Sequence, residues 1–342
     1  MNKFFTKDIE LANMPEDSIS ALSWSPQANH LAVSSWDSKV YIYDTNAAKS
    51  GIRKAFITFD GPVLDCHWSK DGSVVIGAGA DRTARILDLG SGGSQAYQVA
   101  LHDKPIRSVR FIQIPQSNAT MAVTGSWDKT VKYWDLRQAT PAGTIHCKER
   151  VYAMDVKNNL LVIGTADHTM NIVKLDDPMT IQKSMESPFK HQMKAIACCP
   201  NAKGFGIVGL EGRCALRYVN EEDEKNNFSF RCHREAAGNK LTRIYTVNAI
   251  SFHPVYGTFS TAGSDGTFHF WDGVGHHRLK GFSTIGSAIS ATGFNRDGSL
   301  FAYAVSYDWS KGASGNNPDY PNRILLHKVD DDEVNPGVAR KL

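Results

Sequence analysis

The chain has 342 residues, 42% hydrophobic and 21% charged, with a formal net charge of +3. That is enough apolar material for a core, and a charge too mild to imply nucleic-acid binding by itself. The six cysteines, at 66, 147, 198, 199, 214 and 232, form no C-x-x-C, so neither a zinc knuckle nor a disulfide framework fits, and scattered thiols point to the cytosol or nucleus. Residues 1–20 lack the apolar core of a signal peptide, and no run of about 18 apolar residues occurs, so no membrane insertion is expected.

Repeating units begin at Ile19. "ISALSWS" (Ile19–Ser25), "HLAVSS" (His30–Ser35) and "KVYIYD" (Lys39–Asp44) are short, rich in β-branched and aromatic residues, and separated by turn residues. They read as strands. "VLDCHWS", "SVVIGAG" and "TARILD" repeat the order, and the third unit adds "IQIPQSNAT" (Ile112–Thr120). No segment shows a sustained helical period.

Each unit carries an acid in a tight turn, at Asp37, Asp81, Asp128, Asp167, Glu211, Asp265 and Asp308. The gaps of 44, 47, 39, 44, 54 and 43 residues match the period of about 40–45 expected for four-stranded propeller blades. Seven markers predict an all-β, seven-bladed WD40 β-propeller, one domain over residues 1–342. The turn carboxylate accepts backbone N–H groups that lack ladder partners. It also suits a bond from a histidine, and His102 and His191 precede their units at fitting places. Tyr43, Trp134, and Phe270 or its neighbour Trp271 are large rings expected to fill the wedge between blades. "FFTKDIEL" (Phe4–Leu11) is expected to close the ring as the outer strand of the last blade. Residues 331–342 read as a flexible tail.

Catalytic signatures are weak. "GFGIVG" (Gly204–Gly209) matches G-x-G-x-x-G, but a turn and a strand follow it where a dinucleotide site needs a helix. His276–His277 lacks partners at metal-ligand spacing, and no G-x-S-x-G elbow occurs. No enzyme, cofactor or metal site is expected, although a catalytic pocket in a propeller channel is a third class of reading.

Three segments break the structural pattern. "FSFRCHREAAGNKLTR" (Phe228–Arg243) is basic and aromatic, with Arg213 one strand earlier. "DGVGHHRLKG", after Trp271, forms a small basic ribbon suited to an acidic peptide or single-stranded RNA. "YDWSKGASGNNPDYPNR" (Tyr307–Arg323) is a long insertion of the kind that often carries function.

On "GSWDKTVKYWDLRQ", "EGRCALRY", "FSFRCHR" and "YDWSKG", and over roughly Asp17 to Val329, the chain resembles the nuclear-pore-associated WD-repeat mRNA export factors. The mitotic-checkpoint WD protein family is similar and shares "SSWDSKV". The resemblance implies a non-catalytic scaffold of the nucleus, nuclear pore and cytoplasm that binds a GLEBS-type nucleoporin segment and supports mRNA export. It places the peptide's glutamates against Arg213 and Arg231, with Trp36 and Phe230 as aromatic contacts. It implies a second groove for RNA or acidic ligands at Phe230, Trp271, Asp272, His276 and Arg278. Here Gly273 and His276 stand where the family is usually cationic, so RNA contact is expected to be weak and pH-sensitive. The alternative is a spindle-checkpoint scaffold binding kinase peptides through the same face.

Overall fold

A computed structural model describes residues 8–46, 51–90, 95–115, 119–238, 240–317 and 319–339. The fold class is all-β: seven four-stranded antiparallel sheets form the blades of a seven-bladed β-propeller. They fall in two compact units, Pro15–Ser187 and Met1–Met14 with Pro188–Leu342, each described by itself.

Pro15–Ser187 holds four blades. The first is Ile19–Trp24, His30–Ser35, Lys39–Asp44 and Ile52–Thr58, and the fourth runs from Val151–Lys157 to Ile181–Glu186. Alternation along each strand puts one set of apolar residues on each face, and consecutive blades bury those faces against one another. Val40, Ile42 and Phe59 of blade one thus pack with Val63, Cys66 and Trp68 of blade two, and Val123 and Tyr133 of blade three with Met154 and Ile163 of blade four. Three of these blades are also tied by charge. The Arg110 guanidinium bonds Asp65 at 2.6 Å and Asp155 at 3.0 Å.

The other unit holds three blades. Blade five is Met193–Cys198, Gly204–Gly209, Arg213–Tyr218 and Phe228–Arg231. Blade six is Val247–Phe252, Phe259–Gly263, Phe268–Asp272 and His277–Gly281. Blade seven is Ile289–Phe294, Leu300–Val305 and Arg323–Lys328, completed by Ile9–Glu10, with Ile9 opposite Leu326. That pairing is the one the N-terminal segment was expected to make, and Phe4–Lys7 lie outside the described residues. "GFGIVG" is the buried second strand of blade five. A Cβ on Gly206 would sit 2.4 Å from Ile250 Cδ1, so crowding between blades, not a phosphate, requires that glycine.

All seven first strands skip a register step at the same place, from Ile19/Ala21 to Ile289/Ala291. A one-residue bulge increases local twist, and its recurrence gives every blade the same bend.

The expectation of a flexible tail is corrected for residues 331–339; residues 340–342 lie outside the described residues. Asp331–Val334 and Pro336–Ala339 are short helices. Val334 is 1% exposed in the core of blades six and seven, and its carbonyl accepts from Thr258 Oγ1 at 2.9 Å. The apolar Val334 anchors the segment to that core.

His327 sits between Asp8 Oδ1 at 2.9 Å and Glu333 Oε2 at 2.8 Å, joining the N-terminal strand, blade seven and this helix. Burial works against its charge, but the two carboxylates outweigh burial and raise it to about 9. A histidine raised above its unfolded value of about 6.5 adds stability that is fully present below that pH and lost as pH rises through 9. The melting temperature should therefore fall more steeply between about pH 7 and 9.5 in the native chain than in His327→Gln. Parallel pH profiles for the two proteins would remove this coupling.

Candidate functional site: the blade five and six surface

The turn acids do what their position requires. Asp81 accepts the Thr83 N–H at 3.0 Å, Asp128 that of Thr130 at 2.9 Å, and Asp265 that of Thr267 at 3.1 Å. In blades three and six they anchor longer networks. His102 Nδ1 bonds Asp128 at 2.8 Å and its Nε2 meets Thr124 Oγ1 at 2.7 Å, which also accepts from Trp134 Nε1. His233, Asp265, Thr261 and Trp271 repeat the arrangement, each bond 2.9 Å long. Burial opposes the Asp265 charge, but the bonds from His233 and Thr267 hold it below the usual carboxylate range.

His191 does not take the role expected of it. It is exposed, and the Lys190 N–H donates to Glu211 at 3.0 Å. His233 is the second network histidine, and the sequence hides it. It precedes its acid by 32 residues where His102 precedes by 26, because the ribbon Arg234–Ala236 and Thr242–Ile244 intervenes.

Arg213 and Arg231 are direct cross-strand partners on the last two strands of blade five. Arg213 is half-buried and Arg231 exposed. Among the described residues neither has a carboxylate in ion-pair range. Like charges directly opposite on a sheet are destabilising, so the pair carries a local cost that no carboxylate among the described residues relieves. Phe228 and Phe230 alternate with exposed Ser229 and Arg231. Their rings form a ladder toward blade six: His276 lies 4.0 Å from Phe228, Phe228 5.8 Å from Phe230, and Phe230 4.6 Å from Trp271.

This ladder brings together Phe230, Trp271, His276 and, as the cross-strand partner of Trp271, Arg278. Asp272 is a correction. It shares a strand face with buried Phe268 and Phe270, is 4% exposed, and accepts the Val274 N–H at 2.8 Å. Strand alternation turns it away from the groove that Trp271 faces. Trp36 lies in the turn of blade one, half-buried, its N–H donating to the Ser18 carbonyl at 2.9 Å. That turn belongs to the other unit.

Beside the ladder a cleft of about 480 Å³ is lined by Arg231, Arg234, Tyr245, Trp271 and Arg278. The hairpin that carries Arg234 and Tyr245 is held to blade five by Arg234, whose Nη2 donates to the Glu211 carbonyl at 2.8 Å. Burial, with His233 and Arg278 nearby, pushes His269 down to about 4 and keeps it neutral. The six cysteines are free thiols. Burial pushes Cys66 and Cys199 up to about 12, which removes them as nucleophiles at neutral pH. No group of ligands able to hold a metal occurs among the described residues.

The WD domain, G-beta repeat model matches residues 11–44, 53–88, 93–135 and 238–272. With the His–Asp–Thr–Trp networks, this defines a WD-repeat β-propeller. The chain is 54% identical over 333 residues to mRNA export factor GLE2 of Chaetomium thermophilum, covering 96% of this chain and 92% of that protein. It is 54% identical over 331 residues to WD40 repeat protein poxJ of Penicillium oxalicum (96% of each chain), and 51% identical over 330 residues to the Poly(A)+ RNA export protein of Schizosaccharomyces pombe (96% and 93%). The chain belongs to the WD-repeat mRNA export factor family.

Proposed function

We propose that this protein is a non-catalytic scaffold of mRNA export that works at the nuclear pore by gripping a GLEBS-type nucleoporin segment. The names of the relatives from Chaetomium thermophilum and Schizosaccharomyces pombe support the export role. The observation that carries the peptide reading is the opposed pair Arg213 and Arg231, which has no carboxylate in ion-pair range among the described residues. Two guanidiniums side by side match two neighbouring carboxylates, and each fork can take a carboxylate with two parallel bonds. Phe230 on the same strand supplies apolar contact, and Trp36 is the aromatic contact proposed on blade one. Pull-down from nuclear extract tests this reading. The bound chain should be a nucleoporin carrying an acidic segment, and its recovery should fall with Arg231→Glu. Equal recovery by native and mutant protein would contradict it.

RNA contact at Phe230, Trp271, His276 and Arg278 is weak on this account. Arg231, Arg234 and Arg278 line the cleft beside the ladder, and three cations give a log–log salt slope for oligo(U) of roughly −2. Filter binding across a salt series measures it. Tight, salt-insensitive RNA binding would show that the ladder serves RNA first.

A further inference from the structure

The cleft between the last strands of blades five and six is richer in cations than a carboxylate receptor needs. Arg231 lines it together with Arg234 and Arg278. Arg231 therefore belongs both to this cleft and to the pair with Arg213. Arg234 is held in place by the Glu211 carbonyl at 2.8 Å and the Gly212 carbonyl at 3.3 Å. Arg278 and Arg231 have no carboxylate in ion-pair range among the described residues. The two acids that line the cleft are already engaged. Asp265 bonds His233 and Thr267, and Glu235 lies 3.6 Å from Arg243 and accepts from Tyr245 Oη at 3.1 Å.

We propose that this cleft receives a phosphorylated side chain of the acidic peptide, so that phosphorylation beside the peptide's glutamate pair tightens its hold on the protein. The inference rests on the peptide reading of Arg213 and Arg231. A phosphate adds nearly two negative charges and three acceptor oxygens. Guanidiniums approaching from two blades satisfy it better than one carboxylate does, because each fork takes two oxygens. The cleft suits a single anion more than a nucleic-acid strand. Glu235 and Asp265 would repel a continuous phosphodiester track, whereas one phosphate can sit on the arginine side. The aromatic neighbours are committed too. The Trp271 N–H is tied to Thr261 and its ring packs 4.6 Å from Phe230, which leaves a poor platform for successive bases.

Calorimetric titration decides it. The probes are a synthetic GLEBS-type peptide in unmodified form and a series with one phosphoserine at successive positions on either side of the glutamate pair. At least one phosphopeptide should bind about tenfold more tightly than the unmodified peptide, through new charge-assisted bonds. The ratio of the two affinities should fall to about one in Arg278→Ala and partly recover in Arg278→Lys, whose point charge lacks the fork. Melting curves for both variants establish that they fold. If the unmodified peptide binds and no phosphopeptide binds more tightly, the inference fails and the peptide reading stands. If no peptide binds, both fail. Oligo(U) that binds with the Arg278 dependence, in place of any phosphopeptide gain, would assign the cleft to RNA and overturn the inference.

Discussion

Replacing Arg213 or Arg231 by alanine should weaken binding of a GLEBS-type peptide by about 2–5 kcal/mol, mostly through faster dissociation. The size follows from burial. If the bound peptide desolvates the pair, losing one arginine leaves a carboxylate without its partner in a water-poor contact. If the pair stays on an exposed rim, the loss is below about 1 kcal/mol. Arg213 is already half-buried in the free protein and faces Arg231 across the sheet, which favours the larger figure. Stability should respond in the opposite sense. Each arginine opposes a like charge, so its removal should leave the folding free energy unchanged or more favourable by at most about 1 kcal/mol, and the melting temperature unchanged or slightly higher. Arg→Glu at either position should bind worse than alanine, since it sets like charges against the peptide. A lost affinity accompanied by a collapsed melting temperature would make the arginines structural.

The largest stability effect is expected in the other unit, at Arg110. Asp65 is 5% exposed and bonds Arg110 at 2.6 Å, and Asp155 completes the link from the fourth blade. Arg110→Met should cost about 3–5 kcal/mol, because it removes the countercharge of a buried carboxylate and leaves it only the Val109 and Cys66 N–H groups. Much of that cost should return when Asp65→Asn is added, since the stranded group is then neutral. Chemical unfolding of the single and double variants measures both. A mild effect of Arg110→Met would mean that Asp65 finds water or another partner when the guanidinium is gone.

The repeat was legible because each turn needs a carboxylate for its own N–H groups. Asp81, Asp128 and Asp265 make those bonds, and the need recurs once per blade. Spacing failed where the chain departs from the minimal blade. His233 was hidden by the ribbon after it, and His191 stood in a plausible position with no bond to make. The family resemblance put Asp272 in the groove beside Trp271, but a strand sends neighbours to opposite faces. The ladder from His276 through Phe228 and Phe230 to Trp271 joins residues of two blades. No periodicity within one unit reports it. The C-terminal helices were missed for a related reason: Val334 is held by neighbours in blades six and seven, which its own segment does not reveal.

The central claim is that Arg213 and Arg231 pair with carboxylates of a partner peptide. A charge-swap cycle tests it most directly. Native protein and Arg231→Glu are each titrated with a GLEBS-type peptide and with a peptide in which one glutamate of the pair is replaced by arginine. The single changes on either side should each weaken binding, and the doubly swapped pair should recover at least about tenfold over the mismatched pairs, a coupling of about 1.4 kcal/mol or more. Losses that simply add, with no recovery in the doubly swapped pair at any glutamate position, would contradict the account.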